Sequence, residues 1–208
     1  MYKRQHIGNA RPVVVFDILY RLLKYLYGEK SVTYVRNITD VDDKIINAAF
    51  EQNVEISEIT KRSTNQYHLD MKILNVEEPN KEPYATQFIS EMILFIEDLI
   101  KKDNAYFSEG HVLFNIDSYK SYGDLSSRDP KDMIAGSRVE VQDYKKNPLD
   151  FVLWKPSNEN EIGWSSPWGR GRPGWHLECS TMILEIFGET IDIHGGGEDL
   201  RFPHHENE

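Results

Sequence analysis

Only one of the 208 residues, Cys179, is a cysteine. A disulfide framework is therefore excluded, and the lone thiol is either packing or chemistry. No apolar run reaches the roughly 18 residues a membrane-crossing helix needs, and nothing resembling a signal peptide precedes the first polar segment. Internal repeats and low-complexity stretches are also missing. Positive charge is in short supply, with 24 Lys and Arg against 34 Asp and Glu for a net charge of −10, which argues against nucleic acid wrapped over the whole surface. Aromatic residues are plentiful, with 4 Trp, 11 Tyr and 9 Phe that demand burial, so a disordered chain is ruled out. The expected class is a cytoplasmic enzyme of one large domain or one and a half, without a membrane partner.

The scarce positive charge is concentrated at the front. Residues 1–36 hold seven Lys and Arg against Asp17 and Glu29, a local +5, on an otherwise acidic chain. Such a basic front suits an anionic ligand bound at one end, although ordinary solvated helix faces produce similar asymmetries. Val15, Ile18, Leu19, Leu22 and Leu26 recur at helical spacing and predict a helix over 13–26, with Pro12 in its first turn and Gly28 as its stop. Val32 to Val35 reads as a short strand, and Asp40 as the cap of a helix over 41–52. Residues 55–104 read as helical with breaks at Pro79 and Pro83, and Ala105 to Phe114 as a hairpin around Gly110. Phe151 to Trp154 and Ile191 to Ile193 read as strands flanking a helix over 179–187. Helices alternating with short buried strands favour an α/β sheet with an insertion between its halves.

Several clusters carry candidate chemistry. His6-Ile7-Gly8-Asn9 precedes a helix whose free N–H groups and dipole attract anions, and Gly8 lets a ligand approach the backbone. Cys179 has His204 and Glu208 downstream, four residues apart and so on one face of a helix entered through Pro203. Thiolate, imidazole and carboxylate form a plausible zinc set, with His176, His205 or a substrate atom as the fourth ligand. A buried structural thiol with surface histidines accounts for the same residues. Asp40-x-Asp42-Asp43 opens like a calcium loop, but Lys44 and Ile45 stand where a ligand and a glycine belong, and a helix cap explains it better. Gly195-Gly196-Gly197 offers close backbone approach to a ligand, with Asp199 to hold ribose hydroxyls, or is simply a turn. His205-Glu206 also opens an H-E-x-x-H pattern whose last position lies at 209, which keeps a zinc hydrolase as the rival enzyme class.

Taken in order, His6-Ile7-Gly8-Asn9, Y-V-R-N-I-T-D-V-D-D-K-I-I (34–46), N-P-L-D-F-V-L-W-K (147–155), P-G-W-H-L-E-C-S (173–180) and D-I-H-G-G-G-E-D-L-R-F-P-H-H-E-N-E (192–208) resemble the blocks of the cysteinyl-tRNA synthetases, which are class I aminoacyl-tRNA synthetases. The resemblance runs from His6 to Glu208. It implies an α/β, Rossmann-like catalytic domain with an inserted connective segment and its first strand missing. Residues 1–50 then form the first part of the nucleotide-binding domain, 51–150 a helical and hairpin insertion, and 151–208 the second part with the zinc and nucleotide motifs.

The resemblance further implies ligation of L-cysteine to its tRNA through a cysteinyl-adenylate made from ATP with Mg2+. One Zn2+ held by Cys179, His204 and Glu208 would select the substrate thiol. His6, Gly8 and Asn9 match the nucleotide signature and its catalytic role; Gly195, Gly196, Gly197 and Asp199 match the nucleotide-binding segment. Thr39, Trp175, His194 and His205 match or line the amino-acid pocket, and Arg170 and Arg172 are candidates to meet the acceptor end of tRNA. Asn9 departs from the histidine at the fourth signature position: it can donate a hydrogen bond but is not a cation. Met1 to Gln5 do not resemble the family's preceding strand, which carries a further zinc-binding cysteine, and no lysine-rich K-M-S-K-S-like loop appears. These departures lead to the expectation of a chain truncated at both ends and inactive alone in tRNA charging, while the full-length protein is expected to be a monomer. A non-catalytic nucleotide- or tRNA-binding remnant is the other alternative.

Overall fold

The computed structural model describes residues 5–127, 142–159 and 161–208. The chain forms two units, one of residues 1–87 with 193–196 and the other of residues 88–192 with 197–208.

In the first unit, helix α1 (Ile7–Tyr27) starts six residues earlier than the apolar periodicity predicts. His6 and Asn9 account for the difference. Gly8 N–H donates to His6 Nδ1 at 3.1 Å and His6 N–H donates to Asn9 Oδ1 at 3.3 Å, a reciprocal cap that satisfies the helix start. Pro12 consequently sits inside the helix rather than in its first turn, leaving the Gly8 carbonyl without its usual i+4 donor. The helix ends at Gly28, whose N–H donates to the Lys24 carbonyl at 2.8 Å.

The face by which α1 packs is a correction to the sequence reading. Ala10, Asp17 and Tyr20 are buried, whereas Val15, Ile18, Leu22 and Leu26 of the apolar stripe are at least half exposed. Polar anchors explain the choice. Asp17 accepts from Arg21 Nε at 2.7 Å and from Glu77 N–H at 2.8 Å, Arg21 and Lys24 both pair with Glu77, and Tyr20 O–H donates to Asn80 at 3.1 Å. A buried carboxylate with two donors holds its helix face against the 74–80 segment.

The strand expected over 32–35 reduces to isolated parallel bridges, Val35 to Lys81 and Ile38 to Tyr84. Pro83 lies between the two partners and lacks an N–H, so a continuous ladder cannot form there. Helix α2 (Asp43–Gln52) is capped by Asp42, not by Asp40, with Lys44 N–H donating to Asp42 Oδ1 at 2.7 Å. Asp40 instead accepts from Thr86 N–H at 2.9 Å and Thr86 O–H at 2.5 Å. Helix α3 (Ile56–Ile73) packs Ile59 on Ile45 and Ala49, and Tyr67 and Met71 on Ala10.

The second unit is built on a four-stranded antiparallel sheet in the order β1 (Ala105–Ser108), β2 (His111–Phe114), β3 (Phe151–Pro156), β4 (Gly171–Pro173). The predicted hairpin is β1 and β2, and β3 pairs Phe151 with Phe114 and Trp154 with Val112 and Pro173. Helix α4 (Ile89–Lys101) buries Ile89, Met92 and Ile96 and packs on β1 and on helix α5 (Trp175–Phe187), which also packs on β3. Residues 191–193 form no strand and are largely exposed.

Gly174 joins β4 to α5 at a close approach. A Cβ built on it would lie 1.9 Å from the Val152 carbonyl oxygen, a backbone atom that cannot swing away. Gly174→Ala is expected to destabilise the chain by about 1–3 kcal/mol through overpacking, read from the midpoint of urea unfolding at unchanged slope.

Candidate metal centre

Cys179 sits one turn into α5, and His204 and Glu208 lie on the last turn of the described chain, where Glu208 N–H donates to the His204 carbonyl at 3.1 Å. That i+4 spacing brings both side chains to the same face, as the sequence predicts. His204 Nε2 lies 4.0 Å from Cys179 Sγ and 3.0 Å from Glu208 Oε1, and one donor atom from each of the three residues falls within 4.8 Å of the others. Ligand atoms of a tetrahedral zinc site, at bond lengths of about 2.0–2.3 Å, lie about 3.4–3.6 Å apart. The observed separations bracket that spacing, and one thiol, one imidazole and one carboxylate match the ion's borderline softness. The residues present fit zinc.

The surroundings orient these donors. His204 is 5 % exposed and stacks on the Trp175 indole with ring centroids 3.9 Å apart and planes at 11°. Its Nδ1 meets His176 Nδ1 at 2.9 Å. Burial above all, and then His204, pushes the His176 imidazole down to about 4 against the opposing pull of Glu208. With His176 neutral, one of the two facing Nδ1 atoms donates to the other, and the contact holds the His204 ring with its Nε2 toward Cys179 and Glu208. His205 Nδ1 meets the other Glu208 oxygen at 2.9 Å. Burial, with the Glu208 carboxylate beside it, pushes the Cys179 thiol well up. A cation among these groups favours the thiolate instead, because deprotonation accompanies ligation.

The remaining sequence candidates are placed as follows. His6, Gly8 and Asn9 are exposed and form the cap of α1. Because His6 Nδ1 accepts from Gly8, its proton resides on Nε2. Thr39 is half-buried beside the Ile38 bridge, and His194 is exposed in the first unit. Gly195 packs its backbone on α1, where an added Cβ would lie 2.3 Å from the Phe16 ring; Gly196 follows it, exposed. Gly197 leads the 3-10 turn Glu198–Leu200, which holds the exposed Asp199, in the second unit. Arg170 is exposed and donates to the Glu161 carbonyl at 2.7 Å. Arg172 does not serve as an exposed tRNA contact: it is 7 % exposed in β4 and donates to the Pro156 carbonyl and Ser157 Oγ.

Sequence reasoning passed over Asp150, Tyr122 and Asn207, and weighed Glu206 only as part of an H-E-x-x-H pattern. Asp150 is 1 % exposed and accepts from Tyr106 O–H at 2.6 Å and from the N–H groups of Ile116 and Asn147 at 3.0 Å each. A carboxylate flanked by Leu149 and Phe151 was the available signal, since charge inside an apolar run needs buried partners.

The family model described as tRNA synthetases class I (C) catalytic domain matches residues 1–208, and the chain belongs to that family. Its mixed helix and sheet content agrees with the family's α/β fold. Among curated relatives, proteins named Cysteine--tRNA ligase from Ruegeria pomeroyi and Parvibaculum lavamentivorans are 60% and 62% identical over the whole chain, and one from Maricaulis maris is 59% identical. The chain spans about 45% of the length of these relatives.

Proposed function

We propose that this chain carries cysteine-activating and zinc-binding parts of an enzyme that joins L-cysteine to its tRNA at the expense of ATP. The observation that supports this most strongly is the convergence of Cys179, His204 and Glu208 from α5 and the last turn, 25 residues of chain apart between the first two. Cysteine and serine differ by one atom, and pocket size alone discriminates such pairs by about 10–200-fold. Zinc, when bound by Cys179, His204 and Glu208, supplies a soft acid that prefers thiolate to hydroxyl. The stacked Trp175 fixes the His204 ring, and the contact with His176 Nδ1 sets its orientation.

The residues that match the family's nucleotide motifs supply the nucleotide chemistry in this reading. The cysteine carboxylate attacks the α-phosphorus of ATP, which enters with Mg2+, and the bond to the departing pyrophosphate breaks. His6 Nε2–H and the positive end of the 21-residue helix α1 stabilise the charge that gathers on the phosphoryl oxygens. Asn9 adds a neutral donor there. By their match to the family's motifs, Gly195, Gly196, Gly197 and Asp199 are assigned to nucleotide binding, and Thr39, His194 and His205 to amino-acid binding. Transfer of the cysteinyl group to the terminal adenosine of tRNA completes the reaction.

Equilibrium dialysis of the zinc-loaded chain against radiolabelled L-cysteine and L-serine tests the reading. Cysteine is expected to bind more than about 200-fold tighter than serine, beyond what pocket size gives, and removal of zinc by a chelator is expected to erase the difference. Equal retention of the two amino acids, or a preference that survives the chelator, would contradict it.

A further inference from the structure

Between the two ligand positions of the last turn stands Glu206, and the structure gives it a use that the ligands themselves do not explain. At about 100° per residue, a side chain two positions beyond His204 leaves the helix on the side opposite His204 and Glu208. Both Glu206 oxygens are engaged there: Gly123 N–H donates to Oε1 and Ser126 N–H to Oε2, each at 2.7 Å. Asn207 adds a second attachment, accepting from Tyr122 O–H at 2.6 Å. The segment that makes these bonds is itself folded into a tight turn, with Ser126 Oγ donating to the Gly123 carbonyl, Asp124 N–H to Ser121 and Ser127 N–H to Asp124. Tyr122, Gly123 and Ser126 are buried. From the opposite side, Ser180 of α5 donates to the Glu208 carbonyl at 3.3 Å.

We propose that Glu206 is a positioning residue for the metal centre: by clamping the last turn to the 121–127 segment, it fixes the direction from which His204 and Glu208 are offered to the ion. Three features favour this over direct ligation or a purely local role. Two backbone N–H donors occupy the two oxygens, so the carboxylate has its charge satisfied away from the ligand face. The donors are main-chain groups of one turn, so the bonds hold the turn as a unit rather than a mobile side chain. The Tyr122 hydroxyl, pushed up by burial and by the Glu206 charge, stays protonated and keeps donating to Asn207. Glutamate is the matching residue because glutamine would set an amide N–H against one of two N–H groups.

The inference rests on the reading of Cys179, His204 and Glu208 as zinc ligands, and its test separates the two. Zinc affinity of the 208-residue chain is measured by competition with a chromophoric chelator, and the visible d–d bands of Co(II) report ligand geometry. Glu206→Gln is expected to weaken zinc binding by about 10–100-fold, the range for groups that orient metal ligands, and to change the Co(II) bands. Tyr122→Phe, which removes one hydroxyl and carries the test should Glu206→Gln fail to fold, is expected to weaken binding by a smaller factor. Ile96→Val, a mild core loss in α4, is expected to lower unfolding stability without moving either metal readout. Wild-type affinity and spectra in both Glu206→Gln and Tyr122→Phe overturn the positioning role alone, as does an equal loss in Ile96→Val. Failure of the wild-type chain to bind zinc overturns the ligand reading, and this inference with it.

Discussion

Cys179→Ala is expected to abolish stoichiometric zinc binding. Dialysed wild-type protein should retain one zinc per chain by metal analysis, and the variant close to none. The size of the effect follows from the donor set. Loss of a group that merely orients a ligand costs about 10–100-fold in affinity, so loss of a ligand itself should exceed about 100-fold. The remaining imidazole and carboxylate, 3.0 Å apart, are a pair that pairs readily with itself and lacks a soft donor. Cys179 is half-buried on α5 between Glu178 and Ser180, and alanine suits a helix, so the variant should keep its fold. Circular dichroism unchanged alongside lost zinc would separate ligation from folding. Retention of one zinc per chain by the variant would remove Cys179 from the centre.

Asp150→Ala is expected to destabilise the second unit by about 3–5 kcal/mol, because three donors lose their acceptor at about 1–3 kcal/mol for each one left buried and unsatisfied. Three donors converge on this carboxylate: the Tyr106 hydroxyl from β1, the Ile116 N–H that follows β2, and the Asn147 N–H that precedes β3. Alanine leaves all three in an interior where the 1 % exposed site admits little water. Burial and the Asp150 bond also push the Tyr106 hydroxyl up to about 12, so it remains a donor across the physiological range. Urea unfolding should show the loss as a lowered midpoint, and Tyr106→Phe, which strands no buried donor, should cost less. A midpoint unmoved by Asp150→Ala would mean that the sheet does not depend on this anchor.

The sequence was legible where a local rule acts alone. The i+4 spacing of His204 and Glu208, the hairpin over 105–114, the stop at Gly28 and the strand at 151–154 all depend on neighbours in the chain, and all are found. It was misleading where burial depends on a partner. The stripe Val15, Ile18, Leu22 has helical periodicity whether or not an element covers it, and Asp17 wins the packed face through the distant Glu77. Asp40 lost the capping role to Asp42 because Thr86, 46 residues away, engages it. The same distinction holds within the metal centre. Cys179, His204 and Glu208 are recognisable by residue type and spacing. The clasp of Glu206 and Asn207 on Gly123, Ser126 and Tyr122 joins segments 80 or more residues apart, two of its three bonds through main-chain donors, which leave no mark on composition.

The central claim, that Cys179, His204 and Glu208 hold a zinc whose open position selects a thiol, is tested most directly by X-ray absorption at the zinc K-edge. The loaded chain should show one sulfur at about 2.3 Å with nitrogen and oxygen at about 2.0–2.2 Å. Addition of L-cysteine should raise the sulfur count to two, and L-serine should leave the spectrum as it was. A first shell without sulfur, or one that L-cysteine does not change, would contradict the account.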